Sequence, residues 1–203
     1  MRKKIVLLDL YSTLLHSPFY YSVYTPLLNA SINSLKTWNF ILTYKREMRH
    51  LFEDLEQRNL LLQDVNQSTF YEKLNNIDSY INMYYGSIST IQSLQSRDYK
   101  VGIIGDVPRP YTQPLCTRDL YQYSDLELFP CDIGMTYESP EAFYEVAQRM
   151  GGWPDDTLLV GDREAIDKTA AQKMQINTLE IDRKNSAVGR KTLLDLSELL
   201  ERI

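Results

Sequence analysis

Residues 5–14 read IVLLDLYSTL, in which four apolar residues run directly into Asp9. A short continuous apolar run is typical of a strand buried on both faces of a parallel sheet. Comparable runs occur at 101–104, 158–160 and, more weakly, 177–181, and segments with helical periodicity separate them. Strands that alternate with helices predict an α/β fold built on a parallel sheet.

Polar residues and glycines directly follow the predicted strands. They are Asp9, the pair Gly105-Asp106, and Asp162, with Asp167 five residues further on. Ligands of parallel sheets bind at the carboxyl ends of the strands, so we expect the carboxylates to converge there if their strands are neighbours. A single aspartate at a strand end is usually a turn former or a helix cap. Three in this order, which would repel one another, favour a bound cation, and their hard oxygen ligands suit Mg²⁺.

The ordered set of motifs resembles the haloacid dehalogenase (HAD)-like hydrolase superfamily. Residues 5–14 resemble the first motif of that family, and 158–167, LLVGDREAID, resemble the fourth. Between them, 86–106 resemble the helix and strand that carry the second motif, and 134–151 resemble the segment that carries the third. The resemblance implies a Rossmann-like core of three α/β/α layers with a parallel sheet.

The same resemblance implies a chemistry and a role for each matched residue. Asp9 would attack phosphorus and become an aspartyl phosphate, with Mg²⁺ stabilising the charge that develops. Asp9, the backbone carbonyl of Tyr11, Asp162 and Asp167 would hold the Mg²⁺. Thr13 would help to hold the loop that follows the first strand.

Three positions depart from the phosphatase pattern. Tyr11 stands where the family has its acid/base aspartate, Gly105, followed by Asp106, stands where it has Ser or Thr, and Tyr137 stands where it has Lys. Loss of a positioned acid typically costs about 10²–10⁴-fold in rate, and loss of a donor to the developing charge about 10²–10³-fold. Arg109, in the loop after the second strand, would either offset part of this loss or be a solvated loop charge. The candidate substrate-binding positions are therefore Gly105, Asp106, Arg109 and Tyr137.

Three functional hypotheses follow from these matches and departures. The first is a Mg²⁺-dependent phosphohydrolase that acts on a small phosphorylated molecule through Asp9. The second is a catalytically impaired member that binds a ligand or a partner protein. The third and weakest is a dehalogenase, because that branch of the family also has Tyr at the position of Tyr11, whereas the fourth motif here is of the metal-binding type.

About seventy residues separate the first motif from the helix that begins near Gly86, and this stretch predicts an inserted helical cap. The boundaries expected are 1–15 and 86–203 for the core and 16–85 for the cap. Caps of this kind close over a site and exclude water. A basic cluster in the insert would meet an anionic substrate or form a solvated helix face; its members are Lys45, Arg46, Arg49 and His50.

Composition excludes several classes of protein. The 203 residues carry a net charge of −5, which gives no support for a nucleic-acid partner. The two cysteines, Cys116 and Cys131, argue against a disulfide-built secreted fold. The first apolar run ends at Asp9, too soon for a signal peptide, and no run approaches the roughly 20 apolar residues of a membrane helix. We therefore expect a cytoplasmic protein that does not bind membranes, and its oligomeric state stays open.

Overall fold

A six-stranded parallel sheet forms the centre of the computed structural model, which describes residues 4–16, 22–162, 165–166, 170–171, 173–183 and 192–203. Its strands are β1 (Ile5–Asp9), β4 (Lys100–Ile104), β5 (Leu126–Leu128), β6 (Thr157–Gly161), β7 (Asn177–Ile181) and β8 (Thr192–Leu193). They lie in the order β5-β4-β1-β6-β7-β8. Every pair of neighbouring strands is parallel, which confirms the predicted α/β class.

The first strand shows why its sequence is apolar throughout. Val6 and Leu8 belong to one buried cluster, whereas Ile5 and Leu7 belong to a second cluster on the opposite face of the sheet. Successive side chains of a strand point to opposite faces, so a strand with helices on both sides needs an apolar residue at every position.

Helices flank the sheet and build the insert. Two of them begin at asparagine caps, where Asn33 accepts a hydrogen bond from the amide of Lys36 and Asn66 accepts one from the amide of Thr69. The α-helices are α1 (Thr25–Asn29), α2 (Ser34–Leu42), α3 (Leu51–Gln57), α4 (Gln67–Asn75), α5 (Ser87–Ser96), α6 (Gln113–Thr117), α7 (Pro130–Ile133), α8 (Pro140–Arg149) and α9 (Leu199–Arg202). Short 3₁₀ turns occur at Met48–His50, Ile77–Tyr80, Arg109–Thr112, Leu120–Gln122, Pro154–Asp156 and Leu196–Glu198.

A two-stranded antiparallel ribbon joins the core to the insert. Strand β2 (Leu15–His16) pairs with β3 (Asn82–Met83), and α1 to α4 lie in the sequence between them. The insert is therefore helical, as predicted. Within the described ranges, no helix has the length and apolar character needed to cross a membrane.

The four strands predicted from apolar runs are confirmed, whereas the C-terminal prediction is wrong in detail. The spacing of Leu193, Leu196 and Leu199 predicts one helix over 193–200. Instead, Leu193 ends strand β8 beside β7, and a 3₁₀ turn and the short helix α9 follow. Strand pairing overrides the helical pattern here. The sequence also predicts a helix over 167–173, which falls mostly on residues outside the described ranges.

Candidate active site

Asp9 is the last residue of β1, an inner strand of the sheet, and it lies where the carboxyl ends of the parallel strands meet. Its own strand β1 lies between β4 and β6, with Asp9 in register with Ile104 and Leu8 in register with Val160. The amide of Leu10 donates to the carbonyl of Ile104 at 2.9 Å, so the pairing continues one residue past Asp9. The side chain of Asp9 is therefore held between the ends of two neighbouring strands.

Two glycines flank Asp9 and leave room around its carboxylate. A Cβ atom at Gly105 would lie 3.0 Å from Oδ1 of Asp9, and one at Gly161 would lie 3.2 Å from the Cβ of Asp9. Gly105 also has a φ of 155°, a conformation that residues with side chains rarely adopt. Glycine at position 105 therefore suits both the unusual backbone conformation there and the close approach of the Asp9 carboxylate.

Asp162 directly follows β6, the neighbour of β1, as the sequence analysis required for convergence with Asp9. Its Oδ1 accepts a hydrogen bond from the amide of Ala165 at 2.8 Å, which fixes the orientation of the carboxylate. Asp167 lies outside the described residues. Among those described, no group of three or more His, Cys, Asp or Glu side chains is placed to hold a metal. Carboxylates on adjacent strand ends, beside a glycine cradle, nevertheless fit a hard divalent cation.

The loop after Asp9 is a compact turn. The amide of Ser12 donates to the carbonyl of Leu15 at 2.7 Å, and the amide of Leu15 donates to the carbonyl of Leu10 at 2.9 Å. Ser12 has a positive φ of 61°. Thr13 is fully buried, and its Oγ1 has no hydrogen-bond partner within the described residues.

Tyr11 points away from the carboxylates. The ring is buried, and its hydroxyl donates to the backbone carbonyl of Tyr111 at 2.9 Å. The rings of the two tyrosines meet edge to face, with centroids 5.9 Å apart. Burial, reinforced by Tyr111, raises the pKa of Tyr11 far above its ordinary value. The hydroxyl is thus a committed donor in the core.

Tyr137 also lies in the core, beside Phe143. Its ring is fully buried, and its hydroxyl donates to the carbonyl of Leu128 at 2.7 Å. Burial, and then the negative charge of Asp106, raise the pKa of Tyr137 well above the ordinary value. The predicted substrate-binding tyrosine therefore presents its hydroxyl to the end of β5.

Asp106 and Arg109 both pair with neighbouring chain segments. Oδ1 of Asp106 accepts the amide of Tyr137 at 2.8 Å, which ties the second motif to the third. Arg109 lies 3.5 Å from a carboxylate oxygen of Asp132 and is about half exposed. Each of these predicted substrate-binding side chains thus has a structural partner.

The basic cluster of the insert does not form a common anion site. Arg46 pairs with Asp54, Arg49 with Glu47 and His50 with Glu53. Lys45 departs from the others, since its Nζ lies 3.3 Å from where a Cβ of Gly134 would be, in the segment that carries the third motif.

Sequence reasoning missed Arg183, which stands two residues after β7. Its guanidinium donates to the carbonyl of Thr13 at 2.7 Å and to Asp195 at 3.0 Å. Its position in the sequence could have indicated a site residue, because Arg183 comes just after the carboxyl end of a predicted strand. Its partners, however, are distant in sequence from the strand and could not be inferred.

A family model described as haloacid dehalogenase-like hydrolase matches residues 3–175 of the chain. No curated protein matches the chain significantly.

Many solved structures share the fold. A HAD phosphatase from Thermococcus onnurineus is 18% identical, with a TM-score of 0.65 over 98% of this chain and 97% of its own. A 2-haloacid dehalogenase from Pseudomonas syringae pv. Tomato DC3000 is also 18% identical, with a TM-score of 0.67 over 98% and 97% of the two chains. A HAD family enzyme from Bacteroides thetaiotaomicron, crystallised with magnesium and inorganic phosphate, is 14% identical, with a TM-score of 0.64 over 91% and 97%. At these identities the likeness concerns the fold alone.

Proposed function

This chain belongs to the haloacid dehalogenase-like hydrolases, and on that premise we propose that it hydrolyses a small phosphate ester with Mg²⁺ and with Asp9 as nucleophile. The observation that carries the proposal is the position of Asp9. Its carboxylate lies between the ends of β4 and β6, where glycines at 105 and 161 keep the space around it clear. Asp162, directly after the neighbouring strand β6, would supply the second carboxylate.

The metal ligands proposed are Asp9, the carbonyl of Tyr11, Asp162 and Asp167, the last directly or through water. When bound, Mg²⁺ would offset the negative charge of the carboxylates and of the phosphoryl oxygens. Oxygen ligands of this kind are those that Mg²⁺ prefers. Asp162 contributes a carboxylate whose direction is already set by its bond to the amide of Ala165.

The reaction proposed has two displacement steps. In the first, a carboxylate oxygen of Asp9 forms a bond to phosphorus while the bond from phosphorus to the ester oxygen breaks, and the alcohol takes a proton. In the second, the oxygen of a water molecule forms a bond to phosphorus while the bond from phosphorus to the Asp9 oxygen breaks. The water gives up a proton to solvent, inorganic phosphate leaves, and the carboxylate of Asp9 is restored. The alcohol takes its proton from solvent in this scheme, because the hydroxyl of Tyr11 is bound to Tyr111.

A missing general acid has a measurable consequence. Without a positioned proton donor, the leaving oxygen departs with more negative charge, and the rate depends more steeply on the acidity of the alcohol. We therefore expect aryl phosphates such as para-nitrophenyl phosphate to be hydrolysed well ahead of alkyl phosphates.

The test is turnover of para-nitrophenyl phosphate with Mg²⁺ by the wild-type protein and by Asp9→Asn. We expect Asp9→Asn to abolish turnover, because the amide is not a nucleophile. Asp155→Asn is the matched control, since Asp155 is an exposed aspartate of the Pro154–Asp156 turn and should leave the rate unchanged. Equal rates for wild type and Asp9→Asn would contradict the proposal.

A second candidate function is binding without turnover. It is favoured by the placement of Tyr11 and Tyr137, whose hydroxyls are both bound to backbone carbonyls in the core. This reading expects no turnover across a panel of phosphate esters, together with a rise in melting temperature when inorganic phosphate and Mg²⁺ are added. A wild-type rate well above that of Asp9→Asn would exclude it.

A further inference from the structure

Arg183 reaches across the carboxyl edge of the sheet to the loop that follows Asp9. It stands two residues beyond the last residue of β7, and β6 lies between β7 and β1 in the sheet. Its guanidinium nevertheless donates to the carbonyl of Thr13 at 2.7 Å. The side chain therefore spans the end of β6, the strand that Asp162 directly follows.

The same guanidinium is held on two further sides. It donates to Oδ2 of Asp195 at 3.0 Å and lies 4.0 Å from the ring centroid of Tyr84, stacked on its face. The side chain is 14% exposed. Tyr84 follows the ribbon strand β3, and its amide donates to the carbonyl of Leu14 at 3.0 Å. Arg183 thus joins the loop after Asp9, the ribbon that leads to the insert, and the C-terminal segment.

Charged side chains act on the hydroxyl of Tyr84. Burial raises the pKa of Tyr84, while the positive charge of Arg183 lowers it and the negative charge of Asp162 raises it. The Nε of Arg183 is buried and has no acceptor in the described part of the chain.

A planar guanidinium suits this arrangement better than an ammonium group. Its donors are fixed in a fork, so it can bond two acceptors at once while its face stacks on an aromatic ring. A lysine here can keep the positive charge but not the two bonds together with the stacking.

We propose that Arg183 is a positioning residue for the reaction: it fixes the loop 10–15 so that Asp9 is aimed at the phosphorus. The inference rests on the proposed function. A displacement of about 1 Å in a reacting group can cost about a hundredfold in rate. We therefore expect Arg183→Met to lower kcat by about 10- to 100-fold and to change KM by less than about threefold. Arg183→Lys should recover part of the loss.

Two measurements on the full chain test this role. The first is kcat and KM for para-nitrophenyl phosphate with Mg²⁺. The second is amide hydrogen exchange in the loop, where the amides of Ser12 and Leu15 are hydrogen bonded. The matched control is Arg97→Met, because Arg97 also donates to a backbone carbonyl, that of Leu200 at 2.5 Å, and within the described residues that bond joins it to the C-terminal helix and not to the loop. Urea midpoints of all variants confirm that each protein is folded.

The proposal expects faster exchange in loop 10–15 and a lower kcat in Arg183→Met, with intermediate values in Arg183→Lys and wild-type values in Arg97→Met. It is overturned if Arg183→Met folds and keeps the wild-type kcat, or if its loop exchanges at the wild-type rate. If the wild-type protein shows no turnover, the proposed phosphohydrolase fails, and hydrogen exchange alone decides on Arg183. Faster loop exchange in Arg183→Met then supports its hold on the loop, and an unchanged rate overturns it.

Discussion

Tyr11→Phe separates the structural role of the Tyr11 hydroxyl from a catalytic one. The substitution keeps the buried ring and its edge-to-face contact with Tyr111 and removes the O–H that donates to the Tyr111 carbonyl at 2.9 Å. Loss of one partner of a buried hydrogen bond costs about 1–3 kcal/mol, because the remaining group has given up its water. A buried phenol that bonds an uncharged carbonyl falls in the lower part of that range. We expect the free energy of unfolding to fall by about 1–2 kcal/mol.

The expected effect on turnover is small. A tyrosine that donated a proton to the leaving group would contribute about 10²–10⁴-fold to the rate. The hydroxyl of Tyr11 is bound in the core instead, so we expect kcat for para-nitrophenyl phosphate to change by less than about threefold. Because its pKa is raised by burial, Tyr11 also adds no ionisation to the pH profile in the working range.

Urea denaturation followed by fluorescence, and initial rates at saturating Mg²⁺, measure the two effects on the same preparations. Tyr121→Phe is the matched control, because Tyr121 is 48% exposed and its hydroxyl should contribute to neither quantity. A hundredfold loss of kcat in Tyr11→Phe at an unchanged urea midpoint would refute the reasoning, since the hydroxyl would then act in the site and not in the core.

Three further substitutions or modifications probe the site and its surroundings. Gly105→Ser should lower stability by about 1–3 kcal/mol and lower turnover, although it restores the family residue, because its Cβ meets the proposed nucleophile at 3.0 Å. Urea midpoints and rates check this against Gly86→Ala, which shares a positive φ but whose Cβ would make an ordinary contact with Oγ of Ser89 at 4.0 Å. Tyr137→Phe should lower the free energy of unfolding by about 1–3 kcal/mol, because the Tyr137 hydroxyl donates to the buried carbonyl of Leu128. We expect kcat to stay within about threefold of wild type. A large loss of kcat without a loss of stability would show that the hydroxyl takes part in the reaction. At pH 8 a thiol reagent should modify exposed Cys116 rapidly and Cys131 slowly, because burial raises the pKa of Cys131 to about 11; equal rates in the folded protein would contradict this.

Much of the fold could be predicted from local patterns in the sequence. The apolar runs that became β1, β4, β6 and β7 were recognisable because strands covered on both faces need apolar residues at every position. Strand β5 was not recognisable, since it has three residues, of which Leu126 and Glu127 are only partly buried and one is charged. Short edge strands such as β8 are specified by pairing with a neighbour more than by their own composition.

The features of the site also separate into those that the sequence predicts and those that depend on tertiary structure. The sequence by itself determined that Asp9 and Asp162 would follow strands, because strand ends are marked locally, and a parallel sheet brings such ends to one edge. Only the tertiary structure decided which way Tyr11 and Tyr137 turn, since their hydroxyls bond carbonyls of other segments. It also decided the partner of Arg183, whose hydrogen bond to Thr13 joins residues 170 positions apart. The identity of a side chain is local, whereas its partner depends on how distant segments pack, and that packing is what separates a catalytic tyrosine from one that holds the core.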